Sequence, residues 1–219
     1  MHPTIRILRD EHGALAAVLR SIGLLLSESR SHGIVPDFAA LRAMLFYIDE
    51  FPEQVHHVKE SNLLFPKLRA RSDEAREVLE RLDHDHSRSQ DEVRKLEHDL
   101  IGLEMMCEAA GFDTRLAHFE ANIGAYITAY LDHIRVEERE VLPLAERVLT
   151  VADWAELDSA FMVNRDPLTH CEVDDAYRPL FLKILMTLPA PLGLGAAMQS
   201  MRASHPLAQS SSIAVGRAR

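Results

Sequence analysis

Four stretches of this chain repeat apolar residues at the three- and four-residue steps of an amphipathic helix, and each apolar stripe contains polar residues at one place. The stretches cover about residues 4–27, 38–68, 72–112 and 114–149. A His or Glu on a buried helix face costs free energy unless a partner satisfies it. One metal ion, or a pair of them, can satisfy such residues on all four helices at once. The polar residues in question are His12, His56, Glu60, His86, His133 and Glu137.

The composition favours an all-α fold. The 219 residues include only 9 glycines, and strong helix formers such as Leu, Ala, Glu and Arg dominate. We predict an up-down-up-down four-helix bundle over residues 1–150, because the helical patterns are joined by short connections. Residues 151–199 are predicted to form a short helical C-terminal extension, and residues 200–219, which lack periodicity, a disordered tail.

Three features of the pattern predict helix ends and breaks. A turn-like segment over residues 31–37 offers Asp37 as the cap of the second helix. Pro52 should kink or divide that helix, and Pro143 should tighten or bend the last turns of the fourth.

In the extension, the apolar side chains could pack on the bundle or form a homodimer contact, and the sequence leaves both readings open. They include Trp154, Phe161 and Phe181.

The bulk properties exclude several classes of function. The formal net charge is −10 and the chain has no basic stripe, which argues against nucleic-acid binding. No apolar run approaches the ~18 residues of a membrane span, and no segment has the layout of a signal peptide. Two cysteines, Cys107 and Cys171, indicate neither a disulfide framework nor a zinc knuckle. The cytoplasm is therefore the expected location.

The polar residues on the four stripes should lie at one level of the bundle. Counted at ~1.5 Å per residue from the end where the first helix starts, they fall within roughly 12–24 Å. His56 and Glu60 are four residues apart, as are His133 and Glu137, so each pair stacks on one helix face. This mixture of nitrogen and oxygen donors suits iron or manganese, and zinc remains an alternative.

Two neighbouring histidines are expected to lie outside this set. On an α-helix, His57 points ~100° away from His56, so we predict that it lies beside the site or at the surface. By the same geometry His84 points ~200° away from His86 and should be exposed.

The strings that contain these residues resemble the hemerythrin-like family, also described as HHE cation-binding domains. They are residues 9–12 (RDEH), 51–60 (FPEQVHHVKE) and 133–138 (HIRVEE), and the resemblance spans about residues 4–149. It implies a four-helix bundle that holds two iron ions in a non-haem di-iron site. Carried over by position, the four histidines would be terminal ligands and the two glutamates bridging ones: His12, His56, His86, His133, Glu60 and Glu137.

The chain departs from the oxygen-carrying members of that family at one place. Those proteins have two histidines four residues apart on the third helix, whereas here Gln90 and Leu82 flank His86 at that spacing. One iron would have fewer protein ligands, which leaves positions open for oxygen, nitric oxide or water. The resemblance therefore implies a protein that binds or senses oxygen, nitric oxide or iron, rather than an oxygen carrier.

Three other functions remain open at this point. Open positions on reducible iron also permit a di-iron oxidase or a peroxide-consuming enzyme, in which Tyr126 or Tyr130 could supply a proton or a hydrogen bond, although ordinary core packing is the favoured explanation for these tyrosines. An iron donor for iron–sulfur centre repair is a further reading. The last is a helical interaction module that binds no metal.

Overall fold

A computed structural model describes residues 2–163, 166–169 and 178–187, and every regular element in these ranges is helical. The all-α fold is thereby confirmed. None of the helices in the described part of the chain is long and apolar enough to cross a membrane. The predicted tail over residues 200–219 and the second cysteine, Cys171, lie outside the described residues.

Two of the four long helices of the bundle are regular throughout: α1 (Pro3–His32) and α5 (Arg76–Met105). α1 runs beyond its predicted end near residue 27, because its buried face continues to Ser29 and no helix breaker precedes Gly33. Gly33 adopts a left-handed conformation (φ 61°) and closes the helix, as is typical of a C-terminal cap. The predicted cap of the next helix is present, since the Asp37 carboxylate accepts a hydrogen bond from the Ala40 amide.

The other two long helices change type along their length. The second consists of α2 (Phe38–Ile48), a π-helical segment (Asp49–His56), α3 (His57–Lys59), another π-helical segment (Glu60–Leu64) and α4 (Phe65–Arg71). The fourth consists of α6 (Phe112–Val136), a π-helical segment (Glu137–Val141) and α7 (Leu142–Val148).

A proline accompanies each π-helical segment. Pro52 lies inside the first segment, while Pro66 and Pro143 come two residues after the second and third. Proline has no amide hydrogen and cannot donate to the carbonyl four residues earlier, so the regular α pattern fails near it. The break expected at Pro52 therefore takes the form of a change in helix type, in which hydrogen bonds span five residues instead of four.

The buried apolar side chains form two clusters that share no residue. The first apolar cluster contains, among others, Leu19, Ile48, Leu100 and Phe119. The second contains residues nearer the other end of the bundle. Neighbouring long helices run antiparallel, because residues later in one helix contact residues earlier in the next. Between the second and third helices, Arg42 contacts Glu104 and Ser61 contacts Asp83. Between the third and fourth, Arg81 contacts Asp132 and Ser89 contacts Tyr126.

The apolar residues of the extension pack on the bundle. α8 (Val151–Phe161) adds Trp154, Leu157 and Phe161 to the second apolar cluster, and α9 (Arg178–Thr187) adds Phe181 to the first. Of the two readings left open by the sequence, the structure supports packing within the chain.

Candidate metal centre

A layer of buried polar side chains lies between the two apolar clusters. Along α1 it falls between Leu8 of the second cluster and Leu15 of the first, and along α5 it falls between Leu82 and Val93. We call this the polar layer. Its members are Glu11, His12, Glu53, His56, His57, Glu60, His86, His133 and Glu137, each at most 7% exposed. The structure thus brings together all six residues that the sequence singled out, at one level.

Four of these side chains form a first group of ligand atoms that lie within 4.8 Å of one another: His12, His56, Glu60 and Glu137. The Nε2 atoms of His12 and His56 are 3.2 Å apart. Glu137 Oε2 lies 3.2 Å from His12 Nε2, and Glu60 Oε2 lies 3.3 Å from His56 Nε2. Two imidazoles and two carboxylates therefore converge on one small volume.

A second group has the same compactness and consists of His57, Glu60, His86 and His133. The Nε2 atoms of His86 and His133 are 3.0 Å apart. Glu60 Oε2 lies 3.6 Å from His86 Nε2, and Glu137 Oε1 lies 3.5 Å from His133 Nε2. Glu60 belongs to both groups, and the two oxygens of Glu137 face histidines of different groups, so the geometry provides two adjacent positions with carboxylates between them.

The outward-facing Nδ1 atoms of His12 and His56 have acidic partners. His12 Nδ1 lies 3.3 Å from Glu138 Oε1, and His56 Nδ1 lies 2.7 Å from Glu11 Oε2. An ionised carboxylate accepts and does not donate, so each Nδ1 carries a hydrogen, and a neutral ring then keeps its lone pair at Nε2.

His86 and His133 follow the same arrangement. His86 Nδ1 lies 2.8 Å from the Ser61 hydroxyl, which itself donates to Asp83 at 2.7 Å. Because the Ser61 hydrogen is directed at Asp83, His86 Nδ1 is the donor in this contact. His133 Nδ1 lies 3.6 Å from Asp85 Oδ2. Such outer partners fix the orientation and tautomer of metal-binding imidazoles in proteins.

This arrangement fits a cation better than it fits hydrogen bonds alone. Where neutral imidazoles turn their Nε2 atoms toward each other and toward carboxylates, the lone pairs repel one another unless protons or metal ions supply positive charge between them. Glu60 Oε2 and both carboxylate oxygens of Glu137 are buried without a hydrogen-bond partner. Buried carboxylates of this kind are normally paired or bound to a metal. The donor set of the layer is therefore suited to one or two metal ions.

The pKa values show how protons are held among these groups in the absence of a cation. Burial and the charge of Glu137 raise the pKa of Glu60 well above its usual value. Burial lowers the pKa of His133, but the charge of Glu137 and the contact with Asp85 outweigh it, and the net pKa is about 9. For His86, burial and the neighbouring His57 lower the pKa to about 2. The layer thus binds protons at Glu60 and His133, where a cation would compete with them.

His57 was expected beside the site or at the surface; it is buried (4% exposed), so the surface alternative is wrong, and it belongs to the second group of ligand atoms, from which the sequence prediction had left it out. The prediction assumed α-helical geometry, whereas a π-helical segment ends at His56, so that adjacent residues diverge less around the axis and both imidazoles face inward. Pro52 and the i,i+4 spacing from Glu53 to His57 were the available signals. His84, by contrast, is exposed as predicted.

A second polar network adjoins His57. The Tyr130 hydroxyl lies 2.9 Å from His57 Nε2, and Glu53 Oε2 lies 3.1 Å from His57 Nδ1. Ser89 donates to Glu53 Oε1 at 2.6 Å and is 3.2 Å from the Tyr126 hydroxyl. Burial raises the pKa of Glu53 to about 7 and holds the pKa of both tyrosines well above the usual range.

This network lines the inner wall of a cavity of about 910 Å³ between α5 and α6. The small side chains of Ala125 and Ala129 leave the cavity open on the α6 side, and charged residues such as Arg88 and Asp132 border it. His57 and His133 are among its lining residues, so the cavity reaches the second group of ligand atoms.

Comparison with known proteins supports the reading of this site. The sequence model of the family described as Hemerythrin HHE cation binding domain matches residues 4–145, which include all six predicted site residues. No curated protein matches the chain.

Proposed function

Because this chain belongs to the family of hemerythrin HHE cation-binding domains, we propose that it is a non-haem di-iron protein that binds or senses oxygen, nitric oxide or iron. The observation that carries the proposal is the pair of adjacent ligand groups that share Glu60. Two positions joined by carboxylates are what a pair of bridged cations requires. The nitrogen and oxygen donors suit iron, with manganese or zinc as alternatives.

In this proposal, His12 and His56 hold one ion and His86 and His133 hold the other, with Glu60 and Glu137 between the two. The partnerless oxygens of the two glutamates support a bridging role, since each carboxylate has an atom left for a cation. The outer partners Glu11, Glu138, Ser61 and Asp85 orient the four imidazoles. A bound iron pair would supply reversible oxidation and reduction together with positions for a small ligand.

The chain's own residues close the site at both ends of the bundle and leave it accessible from one side. The two apolar clusters close the polar layer from both ends of the bundle. The cavity between α5 and α6 borders the second ligand group, with His57 and His133 in its lining, and we propose that small ligands approach from that side.

A second candidate function is a di-iron oxidase or a peroxide-consuming enzyme. The network that contains Tyr126, Ser89, Glu53 and Tyr130 favours it, because a chain of hydroxyl groups and a carboxyl with a pKa of about 7 can hold and pass a proton between the cavity and His57. Catalytic turnover of hydrogen peroxide by the iron-loaded protein, abolished in Tyr130→Phe, would favour this function over simple binding.

The test of the proposed function is the metal content of protein purified without added metal. We expect two irons per chain, one for each ligand group. Near-ultraviolet charge-transfer absorption should change on adding azide and disappear with dithionite. Absence of iron, or zinc at one ion per chain, would overturn the di-iron proposal.

A further inference from the structure

His57 has the surroundings of a metal ligand, although it was not among the predicted ones. Its ring stacks on that of His86, with centroids 3.9 Å apart and planes 15° from parallel, and its centroid is 5.4 Å from that of His133. One of its ring nitrogens lies within 4.8 Å of the ligand atoms of Glu60, His86 and His133. Donors on opposite sides of one ion are ~4.2 Å apart when each metal–nitrogen bond is ~2.1 Å. Small rotations of the side chains would therefore bring the His57 nitrogen to bonding distance of an ion held by the other three residues.

The outer contact of His57 repeats the arrangement of the other four imidazoles. Its Nδ1 lies 3.1 Å from Glu53 Oε2, as His56 Nδ1 lies against Glu11 and His12 Nδ1 against Glu138. When Glu53 is ionised, it accepts this hydrogen bond, and His57 Nε2 keeps its lone pair. Tyr130 then donates its hydroxyl hydrogen to that nitrogen.

We infer that His57 is a fifth imidazole ligand, for the ion held by His86 and His133; this inference rests on the proposed function. His57 Nε2 would give up the hydrogen bond from Tyr130 and bind the ion, and the Tyr130 hydroxyl would donate its hydrogen to Glu53 instead. His57 thereby supplies the donor that α5 lacks at Gln90. The second ion would then have three imidazole ligands and the first would have two.

The rival role for His57 is positional, in which it stacks on His86 and accepts from Tyr130 without touching an ion. Variants separate the two roles. His57→Ala removes the imidazole, and His57→Gln keeps a hydrogen-bonding side chain without one. Tyr130→Phe removes only the hydroxyl that His57 Nε2 accepts from. His84→Ala, at an exposed histidine, is the matched control.

The experiment is an anaerobic titration of each metal-free variant with iron(II), with circular dichroism to verify the helical fold. The wild type, Tyr130→Phe and His84→Ala should bind two ions, whereas both His57 variants should retain one ion and bind the second at least ~100-fold more weakly, since loss of an outer partner alone costs 10–100-fold. If His57→Ala does not fold, His57→Gln carries the test. Anomalous diffraction from iron-loaded wild-type crystals should show His57 Nε2 at ~2.1 Å from one ion.

Three results would overturn the inference. The first is two tightly bound ions in both His57 variants, or in His57→Gln alone. The second is an equal loss in Tyr130→Phe and His57→Ala, which would indicate a positional role. The third is a diffraction map in which His57 Nε2 remains hydrogen-bonded to the Tyr130 hydroxyl and does not lie at bonding distance from an ion. A wild-type protein that binds no iron would overturn the proposed function as well, so the two failures are distinguishable.

Discussion

The first apolar cluster and the polar layer are built by the same four helices, yet they follow opposite rules. The cluster comes from uninterrupted α-helical turns, and each buried Leu or Phe contributes roughly 1.5–3 kcal/mol by leaving water. The polar layer buries carboxylates and imidazoles, which costs free energy without a cation, and two of its helices become π-helical there. The difference teaches that the clusters hold the fold together, while the layer depends on added positive charge, which we propose comes from metal ions, to offset the cost of its burial.

Removing one imidazole from the polar layer is the strongest test of this contrast between the layer and the apolar clusters. His56→Ala or His133→Ala should weaken iron binding at least ~100-fold while leaving the helical content unchanged, because ligand loss exceeds the 10–100-fold effect of an outer partner. Metal analysis after gel filtration and circular dichroism measure the two quantities. His84→Ala should change neither, and loss of metal in that control would mean that the helical phase assigned to α5 is incorrect.

A change in the first apolar cluster should have the converse effect. Leu100 is fully buried, and Leu100→Ala should lower the free energy of unfolding by about 2–5 kcal/mol with no change in iron per chain. The neighbouring Ile101 is 50% exposed, so Ile101→Ala should cost less than about 0.5 kcal/mol. Urea unfolding of the metal-free proteins provides the comparison. A drop in iron stoichiometry in Leu100→Ala would show that the two regions are not independent.

The free-energy cost of burying the polar layer should depend on pH, because the Glu53 carboxyl binds a proton more tightly in the folded protein than in the unfolded chain. Its pKa is raised by burial from 4.5 to about 7 in the folded protein. Between these values the unfolded chain releases the proton and the folded one keeps it, so the metal-free protein should lose about 3 kcal/mol of stability as the pH rises through this window. Glu53→Gln should remove the part of the pH dependence that Glu53 contributes, as measured by urea unfolding from pH 4.5 to 8. The exposed Glu80→Gln should retain it, and an unchanged slope in Glu53→Gln would contradict the prediction.

The smallest expected effect lies at the start of α8, beside the second apolar cluster. The Thr150 hydroxyl accepts a hydrogen bond from the Asp153 amide, and the Asp153 side chain accepts one from the Thr150 amide. Thr150→Ala should cost about 1 kcal/mol through loss of this cap and leave iron binding intact. Val151→Ala, at a position 87% exposed, is the control, and the midpoint of urea unfolding distinguishes the two.

The apolar stripes were enough to predict the helical fold and the level at which His12, His56, His86 and His133 meet. Both follow from regular α-helical spacing, which depends only on residues close in sequence. The ligating role of these residues stays a prediction that the metal experiments test.

Contacts between helices could not be read from the chain. Glu11 is next to His12 in sequence but bonds His56 on another helix, and Glu53 meets Ser89 across the bundle. The sequence could not decide whether His57 lies beside the site or at the surface because the local helix type changes, and that change depends on the packing around Pro52 as well as on the proline itself. The packing of Phe181 on the bundle likewise depends on which surface lies opposite it.

The π-helical segments also affect how the chain tolerates insertions and deletions. Each holds one more residue per turn than an α-helix and so behaves as a one-residue insertion that shifts the phase of everything after it. If Glu137–Val141 lost one residue and kept its π-helical geometry, the faces of α7 would turn by ~100° and Leu142 and Ala145 would leave the second apolar cluster. If the segment closed as an ordinary α-helix, α7 would stay in phase and Glu137 would change direction. The number of residues between the two clusters is thus set by the site, and a chain one residue shorter would lose either the ligand geometry or the hydrophobic contacts.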